Sequence, residues 1–262
     1  MVIRRIRHHV ASHNWFAVLV DLVIVVVGVF LGTQANNWND ARIELGAAAA
    51  YRDEIAEDLR GNEIDLAARH AYYNAVREHA VAALAAIEAP VRSLDERFLI
   101  DAYQASQVWA RPVTRAAYDE MTGAGLSRSI GDKETRSRLA TYYTQIRQFD
   151  ATAIGTTNYR EALRRNLPYS IQSAVRSKCG DRVTTLRSGV QVAAFPEHCA
   201  LGLGRAETAA ASARLASANL DEELTRHIAD LDQKIAGYER FAKLAHDLRM
   251  RLAPRASPSK DQ

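Results

Sequence analysis

The chain is poor in the residues that staple, break or polarise a fold. Its 262 residues hold only two cysteines, Cys179 and Cys199. That excludes a disulfide-dense scaffold, and two cysteines with scattered histidines give no zinc spacing. Six prolines and thirteen glycines are few for this length, and alanine is abundant, a composition that favours helix. Neither sign of charge dominates, with 34 Lys+Arg against 31 Asp+Glu. A nucleic-acid-binding chain concentrates basic residues on one face, so nucleic acid is not an expected partner. Basic residues crowd only the first nine positions, at Arg4, Arg5, Arg7, His8 and His9.

Catalytic signatures are also missing. There is no G-x-x-x-x-G-K-[ST] phosphate loop, no H-E-x-x-H, no G-x-S-x-G and no Glu-x-x-His. No catalytic, cofactor-binding or metal residue is assigned, and no enzymatic activity is expected. His198 beside Cys199 is no argument for a reactive thiolate when Cys179 is a ready disulfide partner. The acidic cluster Asp53, Glu54, Glu57 and Asp58 alternates with Arg52 and Arg60, which reads as a solvated helix face. The pairs Tyr72-Tyr73 and Tyr142-Tyr143 read as core and rim packing.

What the chain does have is one long apolar run. From Trp15 to Leu31 the only charge is Asp21, and thirteen residues from Phe16 to Leu31 are Val, Ile, Leu or Phe. Strands are about 4–8 residues long, so the run is too long for one. As a membrane helix, those side chains contribute roughly −4 to −8 kcal/mol, against about +3 for a central aspartate. Asp21 lies off-centre, which lowers its cost. Residues 15–38 are therefore predicted to be a transmembrane helix bracketed by Trp15 and Trp38 at the two headgroup belts. A cleaved signal peptide is the rival reading, but the run is long and "TQA" at 33–35 is a poor cleavage site. The basic residues before the run place 1–14 in the cytoplasm as a short tail, and the rest outside, in the periplasm of a bacterium. The expected location is the inner membrane, with a single pass.

At about 100° per residue, Ala17, Asp21, Gly28, Gly32, Ala35 and Asn39 share one face of this helix. Gly28 and Gly32 form a G-x-x-x-G pair that permits close helix approach. The face is a candidate packing surface for a second copy or for another membrane protein, with Asp21 finding a polar group there. The other reading is that Asp21 reaches the interface and the glycines are incidental. Asn36, Asn37, Trp38, Asn39 and Arg42 fall where the span leaves the bilayer and are read, with Trp15, as interfacial residues.

Beyond the span, residues 39–252 read as an exported helical domain. Ile55, Leu59, Asn62, Leu66, Arg69, Tyr73, Val76, Ala80, Ala83 and Ile87 alternate in steps of four and three, a heptad seam with polar interruptions at Asn62 and Arg69. Pro90 should end it. Ser93-Leu-Asp-Glu96 reads as a capping box, opening a helix towards Trp109 that Pro112 breaks. A brief helix over 114–121 is expected to end at Gly123 and Gly125, with Asp132 the next N-cap. Leu139, Tyr142, Ile146, Phe149, Ala153, Thr156, Leu163 and Leu167 mark one stripe, closed or kinked at Pro168. Residues 178–204 are irregular, hold both cysteines and could form a hairpin from "VTTL" and "VQVAAF". Cys179 and Cys199 are the candidate disulfide, worth about 3 kcal/mol for a loop of this size; two separate buried thiols are the alternative. A final helix is expected over 205–252, with Leu224, Ile228, Leu231, Ile235 and Tyr238 in its seam, and the tail 253–262 is expected to be disordered. No internal repeat is evident. The predicted class is all-α: one transmembrane helix continuing into a periplasmic antiparallel bundle with coiled-coil-like seams.

Three passages together resemble a family of uncharacterised bacterial single-pass inner-membrane proteins. They are "VVVGVFLGTQANNWNDAR" at 25–42, with its Asn-Trp-Asn-x-x-Arg-like end, "YRDEIAEDL" at 51–59, and "AYDEMTGAGLSRSIGDKETRSRLATYY" at 117–143. In the third, Met121 stands for the usual leucine, and Thr122 and Ala124 alter the Ser-Gly neighbourhood. The likeness covers most of 15–150. It implies an N-terminal membrane helix and an exported helical domain, and brings no activity, ligand or cofactor. The expected role is structural or interactive, as a scaffold or accessory subunit, with lipid bilayer and an oligomer or membrane protein as partners. The alternative is a periplasmic ligand-sensing bundle that signals through a separate membrane protein.

Overall fold

The computed structural model describes residues 15–89, 94–109 and 111–253, without the side chain of residue 17. The basic tail 1–14, Pro90, Ser93 and residues 254–262 lie outside the described residues, as does the side chain of Ala17. The protein is mostly helical, with one long apolar N-terminal helix and a single two-stranded sheet among the described residues. It divides into two units, Met1–Tyr51 and Arg52–Gln262.

Helix α1 spans Trp15–Glu88. In the first unit, residues 18 to 46 are exposed throughout. The Thr33 hydroxyl donates to the Phe30 carbonyl at 2.8 Å, a local side-chain-to-backbone bond within the helix. In the second unit the same helix has a different character. Ile55, Leu59, Asn62, Leu66, Arg69, Tyr73, Val76, Ala80 and Ala83 are all buried, and Ile87 is half-buried.

After the residues around Pro90, α2 (Glu96–Gln104) starts at an aspartate: the Asp95 carboxylate accepts from Phe98 N at 3.2 Å. This corrects the capping-box reading. Asp95 caps the helix, and Glu96 does not fold back on it but accepts from the backbone N–H groups of Leu201 and Leu203 in a distant loop. Phe98 to Gln104 are all buried, so α2 is enclosed on every side. It ends at Gln104, short of Trp109, whose backbone is held by the Tyr73 hydroxyl.

Helix α3 (Ala116–Gly123) begins where Asp58 accepts from Ala117 N at 3.2 Å, and is followed by Gly125 at φ 76°, a left-handed position that favours glycine. A 3₁₀ turn, Leu126–Arg128, leads to Asp132, which caps α4 (Lys133–Ala153) by accepting from Thr135 N at 2.7 Å. The single stripe read over 139–167 is two helices. The chain leaves α4 after Ala153, and Thr157 caps a new helix, α5 (Asn158–Asn166), by accepting from Arg160 N. Gly155 and a competent N-cap make the break cheap. Pro168 then separates α5 from α6 (Tyr169–Cys179).

Strands β1 (Arg182–Thr185) and β2 (Gln191–Ala194) pair antiparallel, with Val183 opposite Ala193. The expected helix over 205–252 is also two: α7 (Arg205–Ala216) and α8 (Asp221–Leu252). Asn219 turns the chain at φ 48°, a region asparagine enters at less cost than most residues. Leu224, Leu231 and Tyr238 are buried as the seam reading required, while Ile228 and Ile235 are half-buried and His227 and Gly237 take buried places.

Helices α4 and α8 meet closely. A Cβ on Gly237 would lie 2.3 Å from the Phe149 ring, so only glycine admits this approach. Phe149 in turn packs edge-on to Tyr238, with ring centroids 5.0 Å apart, and Tyr238 stacks on Tyr73 of α1 at 5.4 Å.

Candidate functional site

The apolar helix is the first candidate. Val18–Glu88 contains a stretch long and apolar enough to cross a membrane, and none of that stretch is buried within the protein. Asp21, Gly28, Gly32 and Ala35 are exposed, and a Cβ on either glycine would meet no atom within 4 Å. Trp15 and Trp38 are exposed at 73% and 68%. Asn37, Asn39 and Arg42 are exposed too, while the Asn36 amide donates to Asp40 at 3.0 Å along the helix.

Cys179 and Cys199 form a disulfide with Cα atoms 5.4 Å apart. Cys179 is fully buried, and its carbonyl accepts from the Gln104 side chain. Lys178 donates to the Leu201 carbonyl beside it. The bond therefore ties α6 to the loop that Glu96 also grips. His198 is exposed. Of the acidic cluster, Asp53, Glu54 and Glu57 face water, Glu57 paired to Arg60, while Asp58 turns inward to cap α3. Tyr72, Tyr73, Tyr142 and Tyr143 are buried. Tyr72 donates to Asp181 at 2.8 Å.

A charged network lies at the centre of the helical unit. Arg69 is 1% exposed. Its guanidinium pairs with Asp65 one turn back and with Asp150 of α4 at 3.2 Å, and lies over the Tyr238 ring at 5.8 Å. Asp65 also accepts from Arg111, at 3.0 Å from its Nε, and Asp150 accepts from Val113 N at 3.3 Å. Two cations face two carboxylates, so the network is neutral. Burial works against the charge on Arg69, but Asp65 and Asp150 more than offset it and hold the guanidinium protonated. Burial raises the Asp150 carboxyl, and Arg69 opposes that only in part. Beside the network, the Asn62 side chain closes two bonds to the backbone of Thr114, 2.7 Å to O and 2.8 Å to N. Of the two polar interruptions in the α1 stripe, Asn62 thus grips the chain just after Pro112, and Arg69 ties α1 to α4 through Asp150.

The second candidate is a groove of about 820 Å³ between α8 and the turn joining α4 to α5. On its α8 side stand Arg226, His227, Asp230 and Lys234, and on the other Thr156, Thr157 and Asn158. His227 is 5% exposed. Its Nε2 lies 2.8 Å from the Ala105 carbonyl just past α2, and its ring stacks on Tyr159 at 5.2 Å. Its Nδ1 is buried with no partner. Burial lowers the His227 pKa, offset only partly by the Ala105 carbonyl. The Lys234 ammonium donates to the Ala153 carbonyl at 3.1 Å and lies 4.7 Å from the Tyr73 ring centroid. Burial lowers its pKa, and Asp230 is the carboxylate that opposes the shift.

Sequence reasoning missed this groove. The available signal was a histidine between Leu224 and Leu231, where the α8 seam otherwise carries aliphatic residues. Among the described residues no cluster of His, Cys, Asp and Glu could hold a metal ion. No protein-family model, curated protein or solved structure matches the chain.

Proposed function

We propose that this protein is anchored in a bacterial inner membrane by its N-terminal helix, and that residues 39–252 act in the periplasm as a structural or interaction module of an oligomer or envelope complex. The observation that carries this reading is the apolar run on α1, whose side chains are exposed from Val18 to Leu31. In water such a surface is a liability, and soluble proteins rarely expose a contiguous patch of that size. In lipid the same side chains favour insertion by about 1–5 kcal/mol after the cost of Asp21. The basic residues ahead of the run support a cytoplasmic N-terminus, and the resemblance to single-pass bacterial proteins supports the same arrangement. In the helical domain, the buried stripe on α1 and the seams of α4 and α8 support an antiparallel bundle with coiled-coil-like pairing.

The Ala17–Asp21–Gly28–Gly32–Ala35 face is proposed to pack on a second copy or on another membrane helix, because small residues let backbones approach. Two measurements test the proposal. The chain should stay with membranes through alkaline extraction, and alkaline phosphatase fused to its C-terminus should be active while a cytosol-dependent reporter is silent. Release by alkali, or the reverse reporter pattern, would refute the anchoring. A cysteine crosslinking scan should give dimers or adducts at 28 and 32 and not on the opposite face; uniform crosslinking would refute the packed face. A second reading, a periplasmic ligand sensor acting through a separate membrane protein, is favoured by the groove of about 820 Å³ between α8 and the turn joining α4 to α5.

A further inference from the structure

We propose that Arg160 of α5 forms an oxyanion site where α5 meets the end of α2, its Nε–Nη2 edge taking a carboxylate or phosphoryl group in two parallel hydrogen bonds. The site is separate from the groove beside α8 and from the apolar helix, and its test depends on neither.

A guanidinium carries five N–H donors and no acceptor. Arg160 spends only Nη1, which donates to the Ser106 carbonyl just past α2. Its Nε and Nη2 hold no hydrogen bond to the described residues. Neither is buried, so both present surface to water on a side chain that is half-buried overall. The spacing of the two donors is fixed by covalent geometry. Both nitrogens are bonded to Cζ, and their N–H bonds run parallel along one edge of a rigid plane, the fork that matches two oxygens of a carboxylate or phosphate.

The protein sets this same edge on carboxylates elsewhere. Arg60 places Nε and Nη2 on Glu57 at 2.9 and 2.5 Å, and Arg115 places them on Asp119 at 2.7 and 2.5 Å. No carboxylate of the described residues reaches the corresponding edge of Arg160.

The surroundings of Arg160 are positive. Arg164, one turn further along α5, donates from Nη2 to the Ser106 hydroxyl at 3.1 Å and lies over the Tyr103 ring, with Cζ 3.7 Å from the centroid. Two guanidiniums therefore meet at one serine. Arg176 of α6 donates to the hydroxyl of the same Tyr103 at 3.4 Å. Among the described residues none of these three arginines pairs with a carboxylate, whereas Arg69, Arg77, Arg111, Arg115 and Arg249 each do. Burial first, and then Arg164, lowers the Arg160 pKa. Asp181 feels the charge of Arg160, but its Oδ2 accepts from the Tyr72 hydroxyl and it makes no ion pair with the guanidinium. An anion on the Arg160 edge offsets both the desolvation and the repulsion. A second cation or a neutral donor offsets neither, which sets the sign of the ligand.

The test uses the full chain in an uncharged mild detergent and Tris buffer. Inorganic phosphate and acetate are titrated by calorimetry and by thermal melting, with sodium chloride at matched ionic strength as the control. A second arm dopes the detergent with phosphatidylglycerol, the lipid source of the same phosphoryl chemistry. If the anion comes from a solute, phosphate or acetate should bind one-to-one and raise the melting temperature beyond the chloride control. If it comes from a headgroup, phosphatidylglycerol alone should do so. In either case Arg160→Met should weaken the effect about tenfold or more. Arg160→Lys keeps the charge and a donor for Ser106 but loses the edge, so it should weaken the effect by about threefold or more. Arg187→Met, exposed in the hairpin turn, should leave it unchanged. If Arg160→Met fails to fold, Arg160→Lys carries the test. The proposal is overturned if none of the three probes binds at about 10 mM, above the millimolar range of weak affinity. It is also overturned if Arg160→Lys binds as tightly as the parent, which would reduce the site to a diffuse field. Binding seen only after Asp181→Asn would overturn it too, by making Asp181 the partner of the edge.

Discussion

Replacing Arg69 by methionine removes one charge from the centre of the helical unit and leaves its partners in place. The consequence can be worked out from the geometry. Asp65 keeps Arg111, so the loss falls mainly on Asp150, which retains only the Val113 N–H at 3.3 Å. The site goes from neutral to one uncompensated negative charge. Breaking a buried pair in this way costs about 3–5 kcal/mol. The upper end is relieved if Asp150 takes up a proton. Its carboxyl is already raised by burial, and losing Arg69 raises it further. For a carboxyl whose pKa is higher folded than unfolded, the stabilising contribution is full below the unfolded value and is lost as pH rises through the folded one. The defect in Arg69→Met should therefore be largest near neutrality and shrink as pH falls through the raised Asp150 range. Adding Asp150→Asn keeps an acceptor for Val113 N and restores neutrality, with Arg111 against Asp65. The double variant should be less destabilised than the sum of the singles by about 2 kcal/mol or more. The assay is a denaturant titration of the full chain in mild detergent, followed through Trp109 with Trp15 and Trp38 changed to phenylalanine. A single-variant cost below about 1 kcal/mol, or additivity in the double, would refute the account of the network as a coupled buried unit.

Three further outcomes follow from the same physics. Reducing the Cys179–Cys199 bond, or replacing both cysteines by serine, should cost about 3 kcal/mol for a closure of 20 residues and lower the melting temperature; equal melting with and without reductant would refute it. Asp181, raised by burial against its bond to Tyr72, contributes stability at acid pH that is lost as pH rises through its folded pKa. Asp181→Asn should flatten the fall of stability with rising pH while changing the acid-side value little, as read in a pH series of melts. Val26→Arg, near the middle of the apolar run, adds about 3 kcal/mol to the insertion cost and should bring it close to balance. Full retention after alkaline extraction would argue against a lone span.

The sequence was most legible where a pattern is local. The apolar run and the helical periods follow from spacing along one element, and so did the caps at Asp132 and the hairpin around 182–194. The misreadings were local too, but concerned competition. Thr157 and Asn219 supply turns good enough to split stripes that looked continuous, and periodicity does not report how cheaply a stripe is interrupted. The capping box failed because Glu96 had better partners 105 and 107 residues away.

By itself the sequence determined helix, the long apolar run near the N-terminus and the buried stripe on α1, because each is set by residues three, four or twenty positions apart. The tertiary structure alone decided the charged centre and the groove. Arg69 finds Asp150 across 81 residues, Lys234 finds Ala153 across 81, and His227 finds Ala105 across 122. The desolvation that sets the charge states of these groups exists only once the helices enclose them, and one-dimensional spacing carries no record of which distant neighbours will do so.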